Sequence, residues 1–305
     1  MLRRALLAAS ASDQIRELVS TTPSARAVVN RFVAGENIGD AVAVARRLRA
    51  AGLLVTLDHL GDEVTDTLHA GANAARYTQL LGKLAAEGLT AGGAVEVSVK
   101  PTAVGLTLDQ RLATEHIARI TTAAADCGTT VTLDAEDHRT AGDTLRIAAG
   151  LRELFPTVGS VVQAALRRTE TDVRALAVPG VRVRLVKGGY DEPVSEAFTA
   201  KHDVDKAFAR CLRVLMRGPG YPMIATHDPR LIAITRSLGL NRPPDSFEYQ
   251  MMYGVREDEQ RALVASGARV RVYVPYGAGW YGHFVRRFAE RPAKLAFFLR
   301  ALRPS

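Results

Sequence analysis

Val181-Arg182-Val183-Arg184-Leu185-Val186-Lys187-Gly188-Gly189-Tyr190 reads as a short buried strand that stops in a charged, glycine-rich turn. Val and Leu suit a parallel strand covered on both faces. Arg184 interrupts them and, by alternation, falls on the side that a barrel would turn inward. A buried guanidinium is costly unless an anion or a strong acceptor meets it. Gly188-Gly189 lets the backbone approach a ligand closely. Two readings stand side by side. Arg184 and the glycines belong to a binding site, or Arg184 pairs with an acid of another strand, such as Asp134, and the glycines only turn the chain.

Working outward, the same strand-like character recurs at Leu53–Leu57, Val95–Val99, Thr129–Leu133, Ser160–Gln163, Met223–Thr226, Phe247–Gln250 and Val270–Val274, which with Val181–Val186 makes eight strands. Amphipathic runs lie between them, at Glu63–Ala86, Leu108–Ala125, Thr140–Phe155, Asp172–Ala177, Ser195–Met216, Pro229–Leu238 and Glu257–Ser266, and a last one covers about Tyr281 to Leu302. Strands alternating with helices predict repeated βα units, and eight of them predict a closed (β/α)8 barrel of the α/β class. A doubly wound open sheet would need a Gly-rich phosphate turn after an early strand. Gly92-Gly93 precedes a strand instead. The expected organisation is a helical extension over residues 1–50, with starts at Asp13 and Gly39-Asp40, followed by the barrel over 51–305.

The 305 residues, 47% of them hydrophobic, are enough for one large core. The net charge of +8 favours anionic partners. Its arginines are dispersed, which argues against a basic tail for nucleic acid. Cys127 and Cys211 lie far apart without CxxC spacing, so neither a disulfide framework nor a zinc site is expected. No apolar run reaches transmembrane length. Residues 1–10 have the look of a short targeting leader, but an amphipathic stretch follows, and a cytoplasmic protein is expected.

Active sites of such barrels gather where the strands end. Those ends read Asp58, Lys100, Asp134, Gln163, Lys187 with Gly188-Gly189-Tyr190, Thr226-His227-Asp228, Gln250, and Tyr273 with Pro275. Asp137 is suited to cap the following helix, and Thr226 or Asp228 to cap the one begun by Pro229. His227 is either a base or a structural histidine. A metal at Asp134 would want a further ligand such as His227, but Lys100, Arg184 and Lys187 make the mouth cationic, and no metal is expected. Near the C-terminus, Arg286-Arg287 can clamp a carboxylate or form a solvated patch with Glu290. Nucleophile elbow, GK[ST] loop and HExxH are all absent from the sequence. A cationic pocket without a covalent catalyst suits a cofactor that does the chemistry.

Taken in order, several stretches resemble the proline dehydrogenase family. They are Val97-Ser98-Val99-Lys100-Pro101-Thr102 with Gly105-Leu106, Leu133-Asp134-Ala135-Glu136-Asp137, Val162-Gln163-Ala164, and Arg184 to Tyr190. Ala225-Thr226-His227-Asp228, Phe247-Glu248-Tyr249-Gln250-Met251-Met252-Tyr253-Gly254, Tyr273-Val274-Pro275-Tyr276-Gly277 and Arg286-Arg287-Phe288-Ala289-Glu290 follow. The resemblance spans about residues 50 to 303 and is to the monofunctional bacterial type.

It implies a distorted (β/α)8 barrel holding FAD non-covalently, with the last helix over the barrel mouth. The implied reaction is oxidation of L-proline to 1-pyrroline-5-carboxylate, with electrons passed to a quinone. A membrane quinone would bring the protein to the inner face of the membrane as a peripheral contact. Carried over by position, Asp134 and Arg184 are the catalytic pair. Lys100, Arg286, Arg287, Tyr190 and Tyr273 bind substrate. Ala135, Gln163, Arg184, Lys187, Gly188, Gly189, Thr226 and His227 contact FAD. Three positions depart from the family's pattern: Ala135 replaces a usual Met, Asp62 (followed by Glu63) stands where a gating Glu is usual, and His283 stands where Tyr is frequent. Two other functions are weighed against this one. One is a related flavin barrel acting on hydroxyproline, another cyclic secondary amine or a folate, and the other is a non-catalytic barrel binding an anionic partner.

Overall fold

The computed structural model describes residues 30–61 and 64–280. Helix α1 (Ile38–Ala50) precedes an alternating series: β1 (Leu54–His59), α2 (Thr67–Ala86), β2 (Val95–Val99), α3 (Gln110–Asp126), β3 (Val131–Leu133), α4 (His138–Arg152), β4 (Gly159–Gln163) and α5 (Thr169–Leu176). It continues with β5 (Arg182–Val186), α6 (Lys201–Arg217), β6 (Tyr221–Ala225), α7 (Pro229–Gly239), β7 (Glu248–Met252), α8 (Glu257–Ala265) and β8 (Val270–Tyr276). The eight strands pair in sequence order, and β1 closes on β8 in parallel register, Leu57 opposite Val274. All eight strands expected from sequence are present, with ends displaced by up to two residues. The expected last helix and the start at Asp13 lie outside the described residues.

Aspartates recur where strands give way to helices. Asp66 accepts from the His69 amide, Asp109 from Arg111, Asp137 from Arg139 and Asp228 from Arg230. Each satisfies one of the orphan amides of a first helical turn. Asp228 also has Pro229 at the first helical position, so of the two candidate caps there it is Asp228 that serves. Helix α1 starts with a capping box between Asn37 and Asp40. Just before it, the Ala34 amide donates to the Pro275 carbonyl, which ties this segment to β8.

The apolar core lies between sheet and helices. Val55, Leu57, Val97 and Val272 point outward from the strands onto Tyr77, Leu80 and Leu84 of α2 and Ile117 and Ile120 of α3. A second apolar cluster joins Val162, Val183, Leu185 and Ile224 to Phe208, Cys211 and Leu212 of α6. Strand side chains alternate, so the residues between these face the lumen. Here they are polar: Thr56, Glu96, Ser98, Thr132, Arg184, Glu248, Gln250 and Arg271 are all buried. Glu96 on β2 lies 2.7 Å from Arg182 on β5, and those strands are not neighbours, so only the lumen joins them.

Candidate active site

At the carboxyl ends of β1, β2, β3, β5 and β8 five side chains meet. Lys100 Nζ donates to Asp58 Oδ2 and lies 3.9 Å from Asp134. Tyr273 donates its hydroxyl to Asp134 Oδ2 at 2.9 Å. Arg184 Nη1 lies 3.6 Å from Asp134 Oδ1 and donates to Ser98 Oγ at 3.1 Å. The Arg184 guanidinium stands over the Tyr273 ring, 5.2 Å from its centroid, where the π face adds cation–π attraction. The pairing of Arg184 with Asp134 and the inward position read from sequence are therefore both present in one place.

Burial pushes the Asp58 carboxyl above its ordinary value, and Lys100 beside it pulls back. The Tyr273 phenol is also raised, first by burial and then by the charge of Asp134; it stays a donor. Some buried polar atoms here have no hydrogen-bond partner among the described residues: Asp58 Oδ1, Arg184 Nε and Arg184 Nη2, the last 3.6 Å from a Glu96 oxygen. A buried N–H without an acceptor costs about 1–3 kcal/mol, so the guanidinium presents at Nε a donor that a ligand acceptor would satisfy.

Beneath this cluster, Glu96 is the hub of the lumen. Its Oε1 accepts from Thr56 Oγ1 at 2.8 Å and Thr132 Oγ1 at 3.1 Å, and lies 3.6 Å from Arg184 and 3.8 Å from Arg271. Burial opposes its charge, but the arginines, Arg182 foremost, outweigh it and hold the carboxyl at about 2. Glu248 pairs with Arg271 at 2.7 Å and accepts from Tyr221 and Gln250.

Two more groups of expected residues flank the centre. Gln163 donates to the Glu136 carbonyl, next to Ala135, and its Oε1 accepts from the Gly189 amide at 3.4 Å. Gly188 has φ of +106°, and a Cβ there would stand 3.0 Å from that of Ala165. Tyr190 follows, partly buried. Farther round, Lys187 is held by Asp205 at 2.5 Å and Asp228 at 3.0 Å. Thr226 Oγ1 accepts from the Asp228 amide, and His227 Nε2 accepts from the Met252 amide at 2.9 Å. Burial, with Arg256 nearby, lowers His227 to about 4. With Nε2 committed and the ring neutral, the structural reading of His227 prevails over the base. Arg286, Arg287, Asp62, Glu63 and His283 lie outside the described residues.

The mouth is less cationic than the sequence suggests, because Lys100, Arg184 and Lys187 each have carboxylates within 4 Å. Sequence reasoning missed Glu96, Ser98, Glu248 and Arg271. The same alternation that singled out Arg184 would have found them, in Val95-Glu96-Val97-Ser98-Val99, Glu248-Tyr249-Gln250-Met251 and Val270-Arg271-Val272-Tyr273-Val274. Asp205, in the first turns of α6, and Glu192, in the segment after β5, where it binds His138 at 2.5 Å, left no strand-period signal.

The family model for proline dehydrogenase matches residues 41–298. Proline dehydrogenase 1 of Bacillus subtilis is 35% identical over 304 residues, 99% of each chain. Proline dehydrogenase of Deinococcus radiodurans is 34% identical over 309 residues, covering 99% of this chain and 98% of that one. Among solved structures, proline utilization A (PutA) from Bdellovibrio bacteriovorus inactivated by N-propargylglycine superposes with a TM-score of 0.82 at 23% identity. That match covers 94% of this chain but spans only 36% of the solved one, and at such identity it speaks for the barrel alone. Barrel, strand-end cluster and full-length likeness lead to one assignment: the chain belongs to the proline dehydrogenase family.

Proposed function

We propose that this chain is an FAD-dependent oxidoreductase that oxidises L-proline to 1-pyrroline-5-carboxylate, the first step of proline degradation, and delivers the electrons to a quinone. The observation that carries this reading is the overlap with named proline dehydrogenases along 99% of both chains. The residues present fit a flavin. Arg184 offers a buried Nε–H with no protein acceptor, which suits a ring nitrogen or carbonyl oxygen. Gly188, in its left-handed conformation, keeps the turn after β5 free of a side chain. A bound flavin would supply the hydride acceptor.

What the chain itself does is bind, orient and exclude water. Arg286 and Arg287 grip the proline carboxylate, with Lys100 as a further cation fixed by Asp58. Tyr273, held by Asp134, and Tyr190 form walls of the ring pocket. Fixing the donor carbon against its acceptor removes much of the entropic barrier. Arg184 stabilises negative charge that develops beside it during transfer. Gln163, Lys187, Gly188, Gly189, Ala135, Thr226 and His227 form the remainder of the cofactor cradle. Among the described residues no helix is long and apolar enough to cross a membrane, and the quinone is met by peripheral contact.

Anaerobic titration with L-proline, followed by flavin absorbance, tests the reading. The purified protein is expected to be yellow and to bleach on proline, less readily on hydroxyproline and not on methylenetetrahydrofolate. A colourless protein that does not take up added FAD overturns it.

A further inference from the structure

The lumen below the active site carries three arginines, Arg182, Arg184 and Arg271, against two glutamates, Glu96 and Glu248. The two acids are not equivalent. Glu248 touches Arg271, Tyr221 and Gln250 and has no contact with Arg184 within ion-pair range. Glu96 alone spans the lumen, meeting all three arginines. Two hydroxyls, Thr56 and Thr132, fix its Oε1, the oxygen that faces Arg184. Arg184 therefore sits between two carboxylates, Glu96 below and Asp134 above, each at 3.6 Å. Ser98 fixes Nη1 and Glu96 faces Nη2 at 3.6 Å, beyond hydrogen-bond distance, while Nε has no acceptor.

We propose that Glu96 is a positioning residue for the reaction: from the floor of the barrel it anchors Arg184 through Nη2, so that Nε, which has no protein acceptor, stays available to the flavin and the guanidinium is not drawn toward Asp134 at the rim. The inference rests on the function proposed above and extends it one layer below the site. Arg184 is expected to touch the reacting ring; Glu96 holds Arg184 in place without touching the ring itself. Its charge also offsets part of the positive charge of the lumen, so it sets how strongly the site favours the reduced, anionic cofactor. The two effects have opposite consequences when Glu96 loses its charge. A more positive lumen makes the flavin the better electron acceptor, whereas a displaced Arg184 slows the hydride step.

That opposition gives the test. Purified holoenzyme is compared with Glu96→Gln and with Glu248→Gln, which removes the same buried charge without touching Arg184. Two quantities are measured: the midpoint potential of the bound flavin and the limiting rate of its reduction by proline in stopped flow. Glu96→Gln is expected to raise the potential by about 30 mV or more, a tenfold shift of a two-electron equilibrium. It should lower the limiting rate at least tenfold, with proline affinity changed less than twofold. Glu248→Gln is expected to keep the rate within about twofold of the parent. Equal rate losses in the two variants, or a Glu96→Gln enzyme as fast as the parent, would overturn the proposal.

If Glu96→Gln does not fold, the double variant Glu96→Gln/Arg182→Met decides, because replacing both partners of a buried pair is often tolerated. A rate still tenfold low supports anchoring of Arg184, and a parental rate refutes it. Wild-type protein that holds flavin and bleaches with proline, beside variants that fail these expectations, sinks this inference alone. Wild-type protein that does neither sinks the proposed function together with it.

Discussion

Arg184 illustrates how one residue can be read correctly and still be understood only in part. Alternation along β5 puts it inward, and the cost of burying it calls for an acid; the structure supplies Asp134 and also Glu96, which the sequence reading did not connect to it. Lys100 is similar: its place after β2 was legible, but its fixation by Asp58 depends on a partner 42 positions away in the chain. The two tandem arginines are tested at this same scale. Arg286→Ala is expected to raise the proline dissociation constant by a factor equivalent to about 2–5 kcal/mol, the usual cost of truncating one arm of a carboxylate clamp. Flavin content should stay at the parental level under the proposed role, in which the pair holds substrate and not cofactor. Steady-state kinetics with a flavin-to-protein absorbance ratio checks both, and an unchanged KM would refute the assigned role.

The proposed cofactor cradle lies at strand ends and the turns after them, where backbone conformation matters more than side-chain identity. Gly188→Ala places a methyl 3.0 Å from Ala165 and 3.3 Å from Gln163 Oε1, at a φ of +106° that side chains rarely adopt. The expected loss is about 1–3 kcal/mol of stability in denaturant titration, together with weaker flavin retention, since Gln163 also holds the Gly189 amide. The turn between β6 and α7 carries a pH effect instead. His227 is lowered to about 4 by burial, with its Nε2 accepting from Met252 on β7. The unfolded chain binds this proton near pH 6.5 and the folded one only near pH 4. Stability from this group is therefore complete above about pH 6.5 and is lost as pH falls toward 4, by on the order of 3 kcal/mol. His227→Gln, which cannot titrate, should show a flatter unfolding free energy between pH 4 and 6.5 than the parent. Parallel curves would mean that His227 contributes nothing to the pH dependence. From sequence alone this histidine was open between base and scaffold, because the amide that decides it belongs to the next strand.

For the molecule as a whole, the alternation of eight strands with helices made the barrel legible, since outward-facing Val and Leu and inward-facing exceptions follow from a period of two. The lumen was less legible. A closed barrel is usually filled by branched apolar side chains, and only the three-dimensional closure brings Glu96, Arg182, Glu248 and Arg271 from four strands into one network. Such a network makes stability conditional on charge balance. Burial lowers the tendency of Arg271 to carry its proton, yet Glu248 and Glu96 outweigh this and raise its pKa. Glu248 is in turn kept below its ordinary value, against burial, chiefly by Arg271. Arg271→Met therefore leaves a buried carboxylate without its main counter-charge and is expected to cost about 3–5 kcal/mol. Adding Glu248→Gln removes the uncompensated charge, so the double variant should recover a large part of that loss. Denaturant unfolding of the parent, both single variants and the double variant forms a complete cycle. If the two single losses simply add in the double variant, the lumen is held by independent contacts and not by mutual neutralisation.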